Sequence, residues 1–263
     1  MITILIDMDG VLTKDKNFTP FEHATDFIKF LKAEKIPFKI VSNNSTRPPY
    51  ELITALKEKG FKIDEKDLIT PVAILPDYLR NHNFKTLFVI GTEMLASYLE
   101  KKGFDISKDY HVDAVVIGQD KKIDFDKIKT ATSAVFLKGA SIVPVNLSKI
   151  VKDSDGLYFP GAGSIAKMIA EAVRYSDSLP NLGKPSPEFI KIAMKGIPSD
   201  EVYLVSDDIY TDLIGASDLG IKTVFMTTGK YGITELEKVD FKPDFVFGNL
   251  EELKSKIFEW LNS

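Results

Sequence analysis

Ile2-Thr3-Ile4-Leu5-Ile6-Asp7-Met8-Asp9-Gly10-Val11-Leu12 decides the reading of this chain. Its opening run is short and nearly continuously apolar, which reads as a strand buried on both faces of a parallel sheet. Two carboxylates, Asp7 and Asp9, stand at its carboxyl end, followed by Gly10. Open α/β sheets build their ligand sites at that end, where the strands stop and the loops splay apart. Two acids placed there raise each other's proton affinity unless something positive sits between them. A hard divalent cation with oxygen ligands, most often Mg2+, resolves the repulsion. An EF-hand loop would want a third acid before the glycine and a Glu further on, and neither is present.

The chain has 263 residues, long enough for one large α/β domain or two smaller ones. Composition is ordinary for a globular protein, 44% hydrophobic and 27% charged. With no Cys there is no disulfide framework, no thiolate metal site and no Cys nucleophile. The first apolar run ends in two acids rather than in a leader-type cleavage site, so a cytoplasmic location is expected. No apolar stretch approaches the length needed to span a bilayer, so no membrane partner is expected. Net charge is −4 and only Arg47, Arg80 and Arg174 are Arg. An acidic, Arg-poor chain does not suit nucleic-acid binding.

Further along, strand and helix signals alternate. Thr19-Pro20-Phe21-Glu22 reads as a capping box opening a helix with Phe21, Ala24, Ile28 and Leu31 on one stripe. Phe38 to Val41 is a second short strand, running into Ser42-Asn43-Asn44-Ser45-Thr46-Arg47. Pro48-Pro49 opens the next helix, which ends near Gly60. This alternation is the mark of parallel βαβ units. A hydroxyl and backbone N–H groups between a strand end and a helix suit an anionic phosphate. Thr70-Pro71 starts a helix reaching about Asn81, with Pro76 expected to kink or restart it.

From Thr86 a new α/β set begins, with strands at Leu87–Ile90, Val112–Ile117 and Ser141–Val145 and helices after Thr92, Asp124 and Ala162. Asp153-Ser154-Asp155-Gly156 repeats the two-acid pattern, but the polar run before it favours a turn. Gly161-Ala162-Gly163-Ser164-Ile165-Ala166 loosely fits a dinucleotide fingerprint but lacks a clean preceding strand. His23, His82 and His111 are isolated and fit helix-face, loop or pre-strand roles.

Gly183-Lys184-Pro185-Ser186-Pro187 then places a Lys just before a helix, where it can act as a point charge on a phosphate. The strand Glu201-Val202-Tyr203-Leu204-Val205-Ser206 runs into Asp207 and Asp208, with Asp212 expected at the start of a helix. Lys222–Met226 and 245–247 are the last strands, and Asn249 caps a final helix.

Taken together, Asp7-Met8-Asp9-Gly10-Val11-Leu12, Ser42-Asn43-Asn44-Ser45-Thr46-Arg47, Gly183-Lys184-Pro185 and Asp207 to Asp212 resemble the four motifs of the haloacid dehalogenase superfamily, in family order. The set is similar to its 4-nitrophenylphosphatase-like branch with a type IIA cap. The resemblance implies an α/β fold, a doubly wound parallel-sheet (Rossmann-like) core with an inserted α/β cap. The core would take residues 1–74 and 180–263, the cap residues 75–179. It also implies a Mg2+-dependent phosphatase, a phosphoric monoester hydrolase. Asp7 would be the nucleophile that forms an aspartyl-phosphate, and Asp9 the general acid and base. Ser42, Asn43, Asn44 and Lys184 would hold the phosphoryl group. Mg2+ would be bound by Asp7, the backbone carbonyl of Asp9 and Asp207, with Asp212 behind them.

Two departures stand out. The family usually carries Gly where this chain has Ser206, and Asn-Pro-Asp where it has Asn146-Leu147-Ser148. The expected substrate is a small phosphorylated metabolite such as phosphoglycolate, a sugar phosphate or a nucleoside monophosphate. A phosphomutase or phosphotransferase is the alternative within enzymes. A phospho-Asp signalling module is the alternative outside them, and the insertion after Leu75 counts against it. Some family members pair through their caps, which leaves a homodimer open.

Overall fold

The computed structural model describes residues 2–153, 155–197 and 200–262. Its packing divides the chain into two compact units. One is Met1–Ser42, Tyr50–Ile69 and Lys184–Ser263; the other is Asn43–Pro49 and Thr70–Gly183. Leu75 and Leu179, where the sequence places the cap boundaries, fall inside the second unit.

The first unit begins with β1 (Ile2–Asp7), α1 (Ala24–Ala33), β2 (Phe38–Val41), α2 (Pro49–Glu58) and β3 (Leu68–Ile69). The second holds α3 (Pro71–Asn81), β4 (Thr86–Ile90), α4 (Glu93–Lys101), β5 (Asp105–Ile106), β6 (Ala114–Ile117), α5 (Phe125–Lys138), β7 (Ser141–Pro144), β8 (Ile150–Lys152), β9 (Tyr158–Pro160) and α6 (Ala162–Val173). The first unit resumes with α7 (Pro187–Ala193), β10 (Glu201–Ser206), α8 (Ile214–Asp218), β11 (Lys222–Met226), β12 (Phe245–Phe247) and α9 (Leu250–Asn262).

The six strands of the first unit form one sheet in the order β12-β11-β10-β1-β2-β3, every pair parallel. β1 is central, and Ile4, Leu5 and Ile6 are wholly buried, as its unbroken apolar run requires. Along β11, Val224 and Met226 join the cluster containing α1, α2 and α9 residues, whereas Phe225 packs with Ile209 and Leu213. Successive side chains of a strand point to opposite faces, so the sheet is covered on both sides. This is the doubly wound α/β fold. From β1 the chain winds outward through β2 and β3; from β10 it winds the other way through β11 and β12. The order therefore reverses between β1 and β10.

In the second unit β5-β4-β6-β7 is a parallel sheet, and β8 and β9 pair as an antiparallel hairpin. Residues 43–49 pack with this unit. Asn146 Nδ2 donates to the Asn43 carbonyl at 2.8 Å, and Thr92 Oγ1 donates to the Thr46 carbonyl at 2.8 Å. Helices follow Thr92 and Asp124 as expected, and the two side chains cap them, accepting from Leu95 N and Lys127 N. The repeated two-acid run closes the β8–β9 hairpin as a turn, with Ser154 outside the described residues. The Gly161 and Gly163 pair serves packing: a Cβ at either would overlap the backbone of Ser148 or Leu147.

Two local expectations are corrected. The Thr19 capping box does not form, because residues 8–21 fold back as a flap. Thr13 bridges Pro20, and Phe21 N donates to the Leu12 carbonyl at 3.0 Å. α1 therefore starts at Ala24, after His23 at φ 63°. Pro76 does not restart α3, which runs through it from Pro71 to Asn81.

One feature of β1 is costly. Thr3 is buried, and its Oγ1 has no hydrogen-bond partner. A buried, unpaired hydroxyl costs about 1–3 kcal/mol. Thr3→Val keeps the shape and removes the penalty, so its unfolding free energy in urea is expected to rise by about 1 kcal/mol. A fall in stability would contradict this account of Thr3.

Candidate active site

The carboxyl ends of three central strands meet at the point of order reversal. Asp7 of β1 lies beside Val41 of β2, one residue before Ser42. On the other side Ile6 pairs with Val205, so Ser206 follows at the level of Asp7. This is the crevice in which doubly wound sheets hold ligands.

Asp7 is buried, and both its oxygens are engaged. Oδ1 accepts from Met8 N at 2.7 Å and pairs with Lys184 Nζ at 2.6 Å. Oδ2 lies 3.2 Å from Ser206 Oγ. Lys184 is only 4% exposed and also donates to Asp212 Oδ2 at 2.8 Å. Ser206 Oγ contacts that same Asp212 oxygen at 2.8 Å and accepts from Asp208 N at 3.1 Å. One ammonium and one hydroxyl thus bridge two buried carboxylates. Ser186, two residues after Lys184, caps α7 by accepting from Phe189 N at 3.2 Å.

Asp212 is not a helix cap. Asp208 takes that role, accepting from Thr211 N at 3.0 Å at the head of a π-helical turn, Ile209–Leu213. Asp212 sits within that turn, turned inward to Lys184. Single π turns often occur where a helix serves a site, and this one aims an acid into the interior. Asp208 also pairs with Lys230 Nζ at 2.9 Å, away from the buried cluster.

Asp207 is buried in a cradle of backbone. It accepts from Lys230 N. A Cβ added at Gly10 or at Gly229 would overlap its carboxylate. Gly10 also has φ +82°, a conformation that favours glycine. Thr228 Oγ1 donates to the Gly10 carbonyl at 2.6 Å, tying the loop after β11 to the loop after β1. These partners in Thr228-Gly229-Lys230 were missed in the sequence; the available signal was another small, polar loop directly after a buried strand.

Burial pushes the Asp7 carboxyl well above the usual range, and the charges of Asp212 and Asp207 add to it; the Lys184 ammonium opposes them. Burial works against the Lys184 charge, but Asp212 and Asp7 outweigh it and raise its proton affinity. Asp207 is pushed up to about 6, chiefly by burial, with the Lys230 N–H acting in the other direction. Asp7, Asp207 and Asp212 thus confront a single buried ammonium. An excess of hard oxygen donors with negative charge is the chemistry that suits Mg2+. Among the described residues no three His, Cys, Asp or Glu side chains group to hold a metal. The expected set asks for only two side chains, Asp7 and Asp207, with the Asp9 carbonyl.

The remaining expected residues are spread more widely. Asp9 is half-buried and pairs with Lys16 Nζ at 3.6 Å. Ser42 is buried at the end of β2, and its N–H donates to the Ile69 carbonyl at 3.1 Å. Asn43 and Asn44 belong to the second unit. The Asn44 side-chain oxygen accepts from Thr46 N, Thr46 Oγ1 and Arg47 N at 3.1, 3.2 and 3.0 Å, which spends it on the turn before α2. The histidines are local: His82 Nδ1 meets the Tyr78 carbonyl and His111 Nδ1 meets Asp109.

A family model described as haloacid dehalogenase-like hydrolase matches residues 4–105, and a second HAD-hydrolase-like model matches residues 181–253. The chain belongs to the haloacid dehalogenase-like hydrolases. Within that family it is 29% identical over 249 residues to an acid sugar phosphatase of Staphylococcus epidermidis, covering 94% of each chain. It superposes on a p-nitrophenyl phosphatase from Archaeoglobus fulgidus with TM-score 0.86 at 27% identity, covering 97% and 98% of the two chains. A 4-nitrophenylphosphatase from Thermotoga maritima gives TM-score 0.85 at 27% identity, with 96% of each chain covered. These relatives place the hydrolase in the 4-nitrophenylphosphatase-like branch.

The raised Asp207 has a thermodynamic consequence. Between the ordinary value of 3.8 and about 6 the folded protein binds more protons at Asp207 than the unfolded chain does. Its contribution therefore favours folding below about pH 4 and is lost as pH rises through about 6. In chelator, Asp207→Asn is expected to gain stability over wild type at pH 7 by on the order of 2 kcal/mol, and much less at pH 4. Urea unfolding at the two pH values reads the difference. Equal effects at both would contradict the burial of a strained carboxylate here.

Proposed function

We propose that this hydrolase is a Mg2+-dependent phosphatase that cleaves small phosphate monoesters through an aspartyl-phosphate on Asp7. The observation that carries the reading is the Asp7 carboxylate, buried where the strand order reverses and held on one side by the Lys184 ammonium. The relatives' names support the class. Residues 1–74 and 180–263 are proposed as the catalytic core and residues 75–179 as the inserted cap that selects the leaving group. The proposed substrates are small phosphorylated metabolites, sugar phosphates among them.

In this reading Asp7 attacks phosphorus in line with the ester bond. Asp9, half-buried and within reach of solvent, protonates the departing oxygen. Lys184 and the Ser42 hydroxyl hold the equatorial oxygens, with Asn43 and Asn44 following Ser42 in the chain. The ammonium that contacts Asp7 is well suited to the charge that grows on the phosphoryl group. Asp9 then removes a proton from water, which attacks the aspartyl-phosphate, releasing inorganic phosphate and restoring the Asp7 carboxylate. When bound by the Asp7 and Asp207 carboxylates and the Asp9 carbonyl, Mg2+ supplies positive charge that offsets repulsion between nucleophile and phosphate dianion. A cytoplasmic location is proposed with this activity. No described helix is long and apolar enough to cross a membrane.

Release of inorganic phosphate from a panel of phosphate esters, with and without chelator, tests the reading. Wild type is expected to hydrolyse 4-nitrophenyl phosphate in Mg2+ and to stop in chelator. Asp7→Asn, close in shape, is expected to abolish turnover while melting as a folded protein. Normal turnover by Asp7→Asn would refute the nucleophile, and an isomerised sugar phosphate in place of free phosphate would make the enzyme a mutase.

A further inference from the structure

Ser206 takes no part in the chemistry above and stands where the family pattern carries glycine. It is wholly buried at the end of β10. We propose that Ser206 is a positioning residue for the nucleophile: its hydroxyl fixes the plane of the Asp7 carboxylate by holding Oδ2. The proposal rests on the phosphatase reading for its kinetic consequence, though not for its structural one.

The torsion that turns an aspartate's carboxylate is broad and roughly two-fold, so the group swings freely unless both oxygens are held. Met8 N and Lys184 Nζ hold Oδ1 at 2.7 and 2.6 Å. Ser206 Oγ stands 3.2 Å from Oδ2, on the other side of the same carboxylate. The hydroxyl is itself anchored, because the Asp208 N–H donates to it at 3.1 Å. That contact occupies a lone pair and leaves the hydroxyl proton for an acceptor.

Two acceptors compete for that single proton, Asp7 Oδ2 and, at 2.8 Å, Asp212 Oδ2. The arrangement suits a residue whose charge comes and goes. While Asp7 is a carboxylate, the hydroxyl can donate to it. Once Asp7 carries a phosphoryl group and its charge is lost, the proton turns to Asp212, and no buried donor is left unpaired. Lys184 bridges the same two acids at 2.6 and 2.8 Å, so the hydroxyl stands beside the ionic tie as a neutral donor that serves one acid at a time. A glycine at 206 would leave only the ionic tie between these two acids.

The test uses the full-length protein and the Ser206→Ala and Ser206→Thr variants, with 4-nitrophenyl phosphate in Mg2+ and with crystal structures of wild type and Ser206→Ala. A misaligned nucleophile slows the chemical step more than binding, so Ser206→Ala is expected to lose about tenfold in kcat with KM within about twofold. Ser206→Thr, which keeps the hydroxyl, is expected to recover most of that loss. In the Ser206→Ala structure the Asp7 carboxylate is expected to rotate or to occupy two orientations, against one in wild type. Wild-type kcat in folded Ser206→Ala would overturn the proposal, as would an unmoved Asp7 carboxylate. Should Ser206→Thr not fold, the Ser206→Ala rates and structure still decide. If wild type hydrolyses no phosphate ester, the phosphatase reading fails, and the Asp7 orientation alone decides the role of Ser206.

Discussion

The Lys184 ammonium, buried between Asp7 at 2.6 Å and Asp212 at 2.8 Å, is the interaction on which the rest of the first unit's site depends. A buried charge is tolerated only when paired, and removing one member of such a pair costs about 3–5 kcal/mol. Lys184 therefore fixes three segments relative to one another: the end of β1, the approach to α7 and the turn after β10. The ion pair is a structural constraint in its own right, since without it Asp7 and Asp212 would be two buried acids with no positive partner between them.

Asp207 shows the opposite strategy. No side chain replaces its water on the Gly10 and Gly229 sides; backbone closes in, which only residues without a Cβ allow. Three buried acids then face one buried base, an imbalance that disfavours the folded chain by itself. A site strained in its own charges and relieved by a ligand is the pattern by which proteins exchange stability for chemistry. The Ser206 hydroxyl belongs to the same buried cluster, a neutral donor placed between Asp7 and Asp212.

Much of this was legible in the chain because its signals are local. An apolar run buried on both faces needs only β1's own residues to be seen, and acids at its end mark the carboxyl edge of the sheet. The same reasoning found β2, β10 and β11, and the Asn249 cap. What escaped depends on residues far apart in sequence. Asp212 reads locally as a helix start, and only the position of Lys184, 28 residues earlier, turns it inward. The flap of residues 8–21 displaced a sound capping box, because Phe21 N finds the Leu12 carbonyl. Residues 43–49 follow β2 in the chain, yet their carbonyls are taken by Asn146 and Thr92 of the second unit. The small, polar loop around Gly229 marks another strand end, but that its missing side chain makes room for Asp207 depends on a residue 22 positions earlier.

The proposed mechanism requires Asp7 to carry the phosphoryl group during turnover. Acid quenching of wild type during steady hydrolysis of a phosphate ester labelled in its phosphoryl group, followed by peptide mapping, tests it most directly. Label is expected on the peptide containing Asp7 and is expected to be lost on chase with unlabelled ester. Label on another residue, or rapid turnover with no labelled protein at any quench time, would contradict it.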